Sequence, residues 1–247
     1  MRNTNGSSGT TDALRLAAAL LVIWGHQYAL MGRPVPLILH NESGALGVVL
    51  FFAISGYLVT LSWLADPHIG RFAARRALRI WPGLCVAVAL CALVLGPLVT
   101  TLPLREYLCH PATLDYLLNI LLQVRFALPG VFDANPLAGS VNGPLWTIAL
   151  EVGCYVTLAG LGLLGLLRLR PFAPLLFLAL AGTLQWRYSP PVGQPMPPWS
   201  FPLQYGMIFA LGATLACWRD LWEPRRWRAT GVLLGMFALL HLAGPEP

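Results

Sequence analysis

The sequence predicts an all-α fold, a polytopic transmembrane helix bundle of about seven spans. Hydrophobic residues make up 57% of the 247 residues and charged residues only 11%, whereas about a quarter of a soluble domain is charged. Apolar runs recur along the chain, several of them long enough to cross a bilayer. All 16 basic residues are arginines, and most of them lie between these runs, as charges that set membrane topology do. This distribution makes a lipid bilayer the expected partner and argues against nucleic acid, despite the net charge of +6.

The first apolar run, residues 12–32, carries two basic side chains, Arg15 and His26. Asp12 is its expected N-cap, and without a small-residue cleavage pattern we expect a retained span and not a signal peptide. The i, i+11 spacing places Arg15 and His26 about 20° apart around a helix and roughly 16 Å apart along it. An ionisable group inside a membrane span indicates a functional site by default. The alternative is a polar residue that a neighbouring helix satisfies.

Six further spans are predicted, separated by polar or proline-rich connections. They cover residues 45–64, 80–102, 145–167, 171–186, 201–218 and 229–244. An arginine-rich segment precedes the span that begins at residue 80. Residues 113–124 are apolar but too short to span, so we expect them to lie in the interface or to re-enter. Residues 128–136 (LPGVFDANP) have the composition of turns, and the proline-rich residues 190–199 are not expected to be helical.

The arginines also predict the orientation of the bundle. With the N-terminus in the cytoplasm, twelve of the 16 arginines fall on the cytoplasmic side and four outside, in agreement with the positive-inside rule. His26 then lies about 8 Å below the outer end of its span and Glu151 about 9 Å below the same surface, so these two side chains are able to meet. Basic side chains gather at the opposite, cytoplasmic face: Arg15, Arg75, Arg76 and Arg79.

Neither a metal site nor a disulfide framework is predicted. The five cysteines show no CxxC spacing, and four of them lie in apolar runs, as small apolar residues do. The remaining histidines have no metal-ligand spacing, so we interpret them as incidental. They are His40, His68, His110 and His241.

Several motifs occur in a fixed order along the chain. Arg15 and His26, separated by ten residues, are followed by GALGVVLFFAISGYL, FAARRALRIWP, LPGVFDANP and VNGPLWTIALEVGCY. In this order they resemble the acyltransferase-3 family. Its members are integral membrane O-acyltransferases that move acetyl or similar groups from acyl-CoA to sugars of surface polysaccharides and glycolipids. The resemblance runs from about residue 10 to residue 160 and weakly beyond.

The resemblance implies site residues. His26 is the implied catalytic base, and imidazole suits that role because it titrates near neutral pH. Glu151 is the implied second catalytic residue, which orients the imidazole and stabilises its charged form. The alternative for Glu151 is a carboxylate paired with an arginine or a backbone donor. The implied binders of the phosphates of coenzyme A, here as acetyl-CoA, are Arg15, Arg75, Arg76 and Arg79; the alternative is that these arginines only set topology. The implied substrate-binding residues are Asn142 and Trp146.

The chain departs from the family pattern at two points. Pro144 stands where serine is frequent, which predicts a bend at the start of the fourth span. Family members are usually longer and have more spans, so we expect residues 1–247 to form one membrane acyltransferase domain that is incomplete at its C-terminal end.

The sequence therefore predicts a multi-pass enzyme of the bacterial inner membrane, with acyl-CoA on the cytoplasmic side and a sugar or glycan acceptor reached from the outer half. The alternatives are a transporter or proton-relay bundle, hydrolysis of the thioester without an acceptor, and an inactive fragment.

Overall fold

The computed structural model describes residues 5–38, 41–187, 197 and 200–222, and nearly all regular structure in these ranges is helical. The strands among them are β1 (Leu37–Ile38) and β2 (Asn41–Glu42), which pair antiparallel. The α-helices are α1 (Asn5–Leu30), α2 (Ser43–Ala65), α3 (Ile69–Leu90), α4 (Gly96–Val99), α5 (Leu104–Cys109), α6 (Pro111–Tyr116), α7 (Leu145–Leu163), α8 (Phe172–Arg187), α9 (Phe201–Cys217) and α10 (Arg219–Trp222). The predicted all-α class is confirmed.

Four helices in the described part of the chain are long and apolar enough to cross a membrane, by length and composition. They cover Thr11–Leu30, Ser43–Ala65, Ile69–Val99 and Leu145–Leu163. The spans predicted at 171–186 and 201–218 correspond to α8 and α9, with 16 and 17 residues. The span predicted at 229–244 lies outside the described residues, as does nearly all of the proline-rich segment 190–199.

Two predicted helix starts are wrong. Helix α1 begins at Asn5, so Asp12 lies inside the helix and is not its N-cap. The helix predicted from residue 80 begins at Ile69, where the His68 side chain accepts a hydrogen bond from the amide of Arg71 at 3.4 Å. It continues through a π-turn to Val99 over 31 residues. At 1.5 Å per residue it is about 46 Å long, more than the roughly 30 Å of hydrocarbon. The arginine-rich segment is therefore part of this helix.

The chain divides into two compact units, which we call unit 1 and unit 2. Unit 1 comprises Met1–His26, Val35–Pro67 and Leu158–Pro247. Unit 2 comprises Gln27–Pro34 and His68–Thr157. Each unit contains some of the predicted site residues.

Unit 1 is built on helix crossings at glycines. A Cβ atom added to Gly56 would lie 2.1 Å from the carbonyl oxygen of Phe209, and one added to Gly212 would lie 2.1 Å from that of Ala53. Helices α2 and α9 therefore touch through their backbones. In a membrane the hydrophobic effect does not drive helices together, so close van der Waals packing through small residues stabilises their association.

Unit 2 is built on buried aromatic residues and an irregular segment. Tyr107 and Tyr116 are completely buried, and the Tyr107 hydroxyl donates to the carbonyl oxygen of Ala92, inside the π-turn, at 2.8 Å. Residues 113–124 form the end of α6 and a 3-10 turn, consistent with a segment too short to span; its depth in a membrane stays a prediction. The turns predicted at 128–136 are confirmed, with Gly130 at a positive φ of 70°.

Candidate active site

His26 lies on α1 and is half-buried. Its Nδ1 is 2.8 Å from the carbonyl oxygen of Val22, one turn earlier on the same helix. A carbonyl oxygen only accepts, so Nδ1 carries the hydrogen in this bond. In the neutral ring the lone pair is then on Nε2, the nitrogen available to take up a proton. The backbone of α1 thus selects the tautomer that a general base requires.

A close crossing of α1 and α2 surrounds His26 in unit 1. A Cβ atom on Gly25 would lie 2.5 Å from the amide nitrogen of Gly44, and one on Gly47 would lie 2.6 Å from the carbonyl oxygen of Ala18. A Cβ atom on Gly44 would lie 3.7 Å from Nδ1 of His26. The imidazole therefore rests against the first turn of α2, where the backbones of α1 and α2 are in close contact.

Arg15 lies on the same helix as His26 and is also half-buried. Both residues fall within the continuous helix Asn5–Leu30. The predicted geometry, a cation three turns from the imidazole on one helical face, is therefore the geometry of α1.

Glu151 lies on α7 in unit 2, where the hydroxyl of Tyr155 donates to its Oε1. Tyr155 is only 3% exposed, so a buried phenol holds this carboxylate oxygen. The sequence interpretation missed Tyr155, although the spacing of four residues from Glu151 on a predicted helix was a usable signal. The predicted pairing of Glu151 with His26 stays a prediction.

Arg76, on α3, lies between two aromatic rings of unit 2. Its Cζ is 5.8 Å from the centroid of the Tyr155 ring and 5.9 Å from that of Phe72. Cations above aromatic faces at this distance are attracted by the ring quadrupole. The Nε of Arg76 is buried and has no hydrogen-bond partner among the residues described. Arg76 thus contacts the ring of Tyr155, and the hydroxyl of Tyr155 bonds Glu151.

The other predicted donor-binding arginines differ in exposure. Arg75 is half-buried, whereas Arg79, one turn further along α3, is exposed. Arg71, one turn before Arg75, is exposed as well. Arg79 and Arg71 are thus the more solvent-exposed arginines of this helix.

The predicted substrate-binding residues lie at the start of α7. Asn142 and Trp146 are both half-buried, and the carbonyl oxygen of Asn142 accepts from the amide of Leu145 at 3.5 Å. Pro144 directly precedes the first helical residue, and its carbonyl accepts from the Thr147 hydroxyl at 2.8 Å. The proline is therefore outside the helix, where it breaks no helical hydrogen bond. The predicted bend at the entry of this span stays a prediction.

No group of three or more His, Cys, Asp or Glu side chains suited to a metal ion occurs in the described part of the chain. The candidate groups are an imidazole and a guanidinium in unit 1, and a phenol-bound carboxylate and further guanidinium groups in unit 2.

Comparison with known proteins gives a consistent result. The model of the acyltransferase-3 family, described as an acyltransferase domain, matches residues 10–245. The chain is 32% identical over 237 residues to an O-acetyl transferase of Shigella phage Sf6, a match that covers 94% of this chain and 69% of that protein. It is also 31% identical over 169 residues to nodulation protein 10 of Rhizobium leguminosarum bv. viciae. That match covers 63% of this chain and 44% of that protein. No solved structure gives a significant match.

Proposed function

The chain belongs to the acyltransferase-3 family, and we propose that it is a membrane-bound O-acyltransferase that transfers an acetyl group from acetyl-CoA to a sugar hydroxyl. The proposed acceptor is a sugar of a cell-surface polysaccharide or glycolipid. The phage relative is an O-acetyl transferase by name, which supports acetyl as the transferred group and oxygen as the acceptor atom.

One observation carries this proposal: the hydrogen bond from Nδ1 of His26 to the carbonyl oxygen of Val22. It leaves Nε2 as the basic atom of the neutral ring. Every neutral imidazole keeps one nitrogen lone pair, and the bond to Val22 assigns it to Nε2. A base for an alcohol needs such a lone pair near neutral pH.

The proposed reaction is a direct transfer. Nε2 of His26 takes the proton of the acceptor hydroxyl as its oxygen attacks the thioester carbon, and the C–S bond breaks. The proton then passes from Nε2 to the thiolate of coenzyme A, so that the imidazole returns to its neutral form.

In this proposal Glu151 stabilises the protonated imidazole, as the acidic member of a triad does. The hydrogen bond that the Tyr155 hydroxyl donates to Oε1 fixes the position of this carboxylate oxygen. Asn142 and Trp146 are the proposed contacts to the acceptor.

The proposed donor site uses guanidinium groups for the phosphates of coenzyme A. Arg79 contributes an exposed group, whereas Arg75 and Arg76 are half-buried and Arg76 lies near the rings of Phe72 and Tyr155. Arg15 completes the set. The arginine distribution supports a cytoplasmic N-terminus in a bacterial inner membrane, which puts this donor site on the cytoplasmic side.

The test is full-chain protein in lipid vesicles, supplied with labelled acetyl-CoA and a panel of glycosides with free hydroxyls. We expect His26→Ala to slow acyl transfer by roughly 10² to 10⁴ while acetyl-CoA binding stays near the wild-type value. His68→Ala is the matched control, because His68 is exposed and only caps α3. Wild-type turnover in His26→Ala would refute the base. Absence of transfer by the wild-type protein to every glycoside would refute the sugar acceptor.

A further inference from the structure

Ser43, the first residue of α2, has a hydroxyl without a visible structural purpose. The side chain is 0% exposed, and its Oγ has no hydrogen-bond partner among the described residues. Buried polar groups are nearly always bonded, because leaving one unsatisfied costs free energy. The Ser43 hydroxyl therefore keeps its hydrogen-bonding capacity unused in the resting protein.

This hydroxyl lies beside Gly25, the residue that precedes the candidate base in α1. The Oγ of Ser43 is 3.0 Å from the position that a Cβ atom on Gly25 would take, and Gly25 directly precedes His26. The next residue of α2, Gly44, has its own Cβ position 3.7 Å from Nδ1 and 3.9 Å from Cε1 of the imidazole. The first turn of α2 and the imidazole of His26 thus share one small region of unit 1.

Ser43 lies at the N-terminal end of a long helix, directly after the exposed Glu42. Helix α2 has 23 residues and no side-chain cap at Glu42, so its macrodipole places partial positive charge at Ser43. Early amides of a helix have no acceptor inside the helix. The amide of Ser43 donates instead to the carbonyl oxygen of Pro36 at 3.0 Å. This bond fixes the backbone of Ser43. A rigid donor at a helix N-terminus is suited to bind an anionic oxygen.

We propose that the Ser43 hydroxyl donates a hydrogen bond to the oxyanion of the acyl-transfer reaction. This inference rests on the proposed function. When the acceptor oxygen bonds to the thioester carbon, the carbonyl electron pair moves onto the carbonyl oxygen, and His26 takes the acceptor proton. The Ser43 hydroxyl bonds to that oxygen until the electron pair returns and the C–S bond breaks. Screening from water makes such a donor more effective than it would be in solvent.

The chain offers a matched control for this inference. Thr60 lies on the same helix, seventeen residues further along, which corresponds to about 25 Å. It is also 0% exposed, and its Oγ1 has no hydrogen-bond partner within the described ranges. If Ser43 were only a tolerated buried hydroxyl, the two residues would respond alike to removal of the hydroxyl.

The experiment compares Ser43→Ala and Thr60→Val in the full chain, in vesicles, with labelled acetyl-CoA and the glycoside on which the wild type is most active. We expect Ser43→Ala to lower kcat by about 10²-fold with little change in KM for acetyl-CoA. Its unfolding midpoint should stay the same or rise, because an unsatisfied buried hydroxyl is lost. Thr60→Val should show the same stability response with wild-type kcat.

The outcomes separate the two proposals. Wild-type kcat in Ser43→Ala, with an active wild-type protein and an inactive His26→Ala, overturns the role of Ser43 and leaves the proposed function standing. A drop in kcat accompanied by a lower unfolding midpoint overturns it too, because the hydroxyl is then structural. An inactive wild-type protein overturns the proposed function, and the role of Ser43 with it.

Discussion

The two units hold their candidate residues by different means. In unit 1, His26 is placed by backbone against backbone, where α1 crosses α2 at Gly25 and Gly47. In unit 2, Glu151 is placed by side chain against side chain, through Tyr155 and Arg76. Backbone contact tolerates no added atom, whereas side-chain contact tolerates some repacking. The comparison indicates that unit 1 is sensitive to added volume and unit 2 to lost polar atoms.

The largest expected effect comes from disrupting the crossing of helices α2 and α9 in unit 1. Gly212→Leu adds a side chain whose first atom would lie 2.1 Å from the carbonyl oxygen of Ala53, and backbone cannot rotate away as a side chain does. We expect a loss of at least about 3 kcal/mol in the free energy of unfolding. Thermal unfolding in detergent measures it.

The control is Gly182→Leu on α8 of the same unit, because nothing lies within 4 Å of a Cβ atom there. It should be neutral or slightly stabilising, since leucine favours helix over glycine by up to about 1 kcal/mol. Equal destabilisation by both variants would contradict the view that backbone contact governs unit 1.

A smaller loss is expected from removal of polar atoms in unit 2. Asn119 is 3% exposed; its Nδ2 donates to the carbonyl oxygens of Tyr116 at 2.7 Å and Arg125 at 3.0 Å, and its Oδ1 accepts from the amide of Arg125 at 2.8 Å. Asn119→Ala leaves these backbone groups unsatisfied, which should cost about 2–3 kcal/mol of unfolding free energy.

Asn119→Asp sharpens this test, because a carboxylate keeps the acceptor and loses both donors. That carboxylate would also face the carbonyl oxygens of Tyr116 and Arg125 in a buried position, so the unfolding free energy of Asn119→Asp should fall below that of Asn119→Ala. Should Asn119→Ala be as stable as the wild type, hydrogen bonds would not be what holds the irregular segment of unit 2.

The smallest effect concerns two arginines of α3 that the sequence treats alike. Arg79 is exposed, so we expect Arg79→Ala to weaken acetyl-CoA binding by about 1.5–3 kcal/mol through the lost charge-assisted bond, with unchanged protein stability. Arg76→Ala should lower stability too, because its guanidinium packs on Phe72 and Tyr155. Binding and thermal unfolding are measured for both variants.

A truncated donor, S-acetyl-N-acetylcysteamine, identifies the phosphates as the group that Arg79 recognises, because this thioester has no nucleotide. The wild type should prefer acetyl-CoA to this compound, and Arg79→Ala should show a smaller preference. Arg71→Ala should show the wild-type preference if Arg71 only sets topology. An identical preference in wild type and Arg79→Ala would remove Arg79 from the donor site.

Much of the fold was available from local patterns. Apolar length predicts spans such as 45–64, which the structure confirms as Ser43–Ala65, and turn composition predicts the irregular residues 128–136. Helix boundaries were less predictable. The arginines of α3 ended the apolar run, so the span was predicted to begin at residue 80, yet arginine and alanine favour helix and the helix begins at Ile69.

The sequence by itself determined the class of the fold, the helix that carries Arg15 and His26, and the spacing between them, because these properties depend on neighbours along the chain. Only the tertiary structure decided the partners. Arg76 of α3 reaches the ring of Tyr155 on α7, and Ser43 of α2 lies beside Gly25, the residue that precedes His26 on α1. Contacts between segments far apart in sequence depend on how helices cross, and apolar patterns fix which face is buried but not which residues meet there.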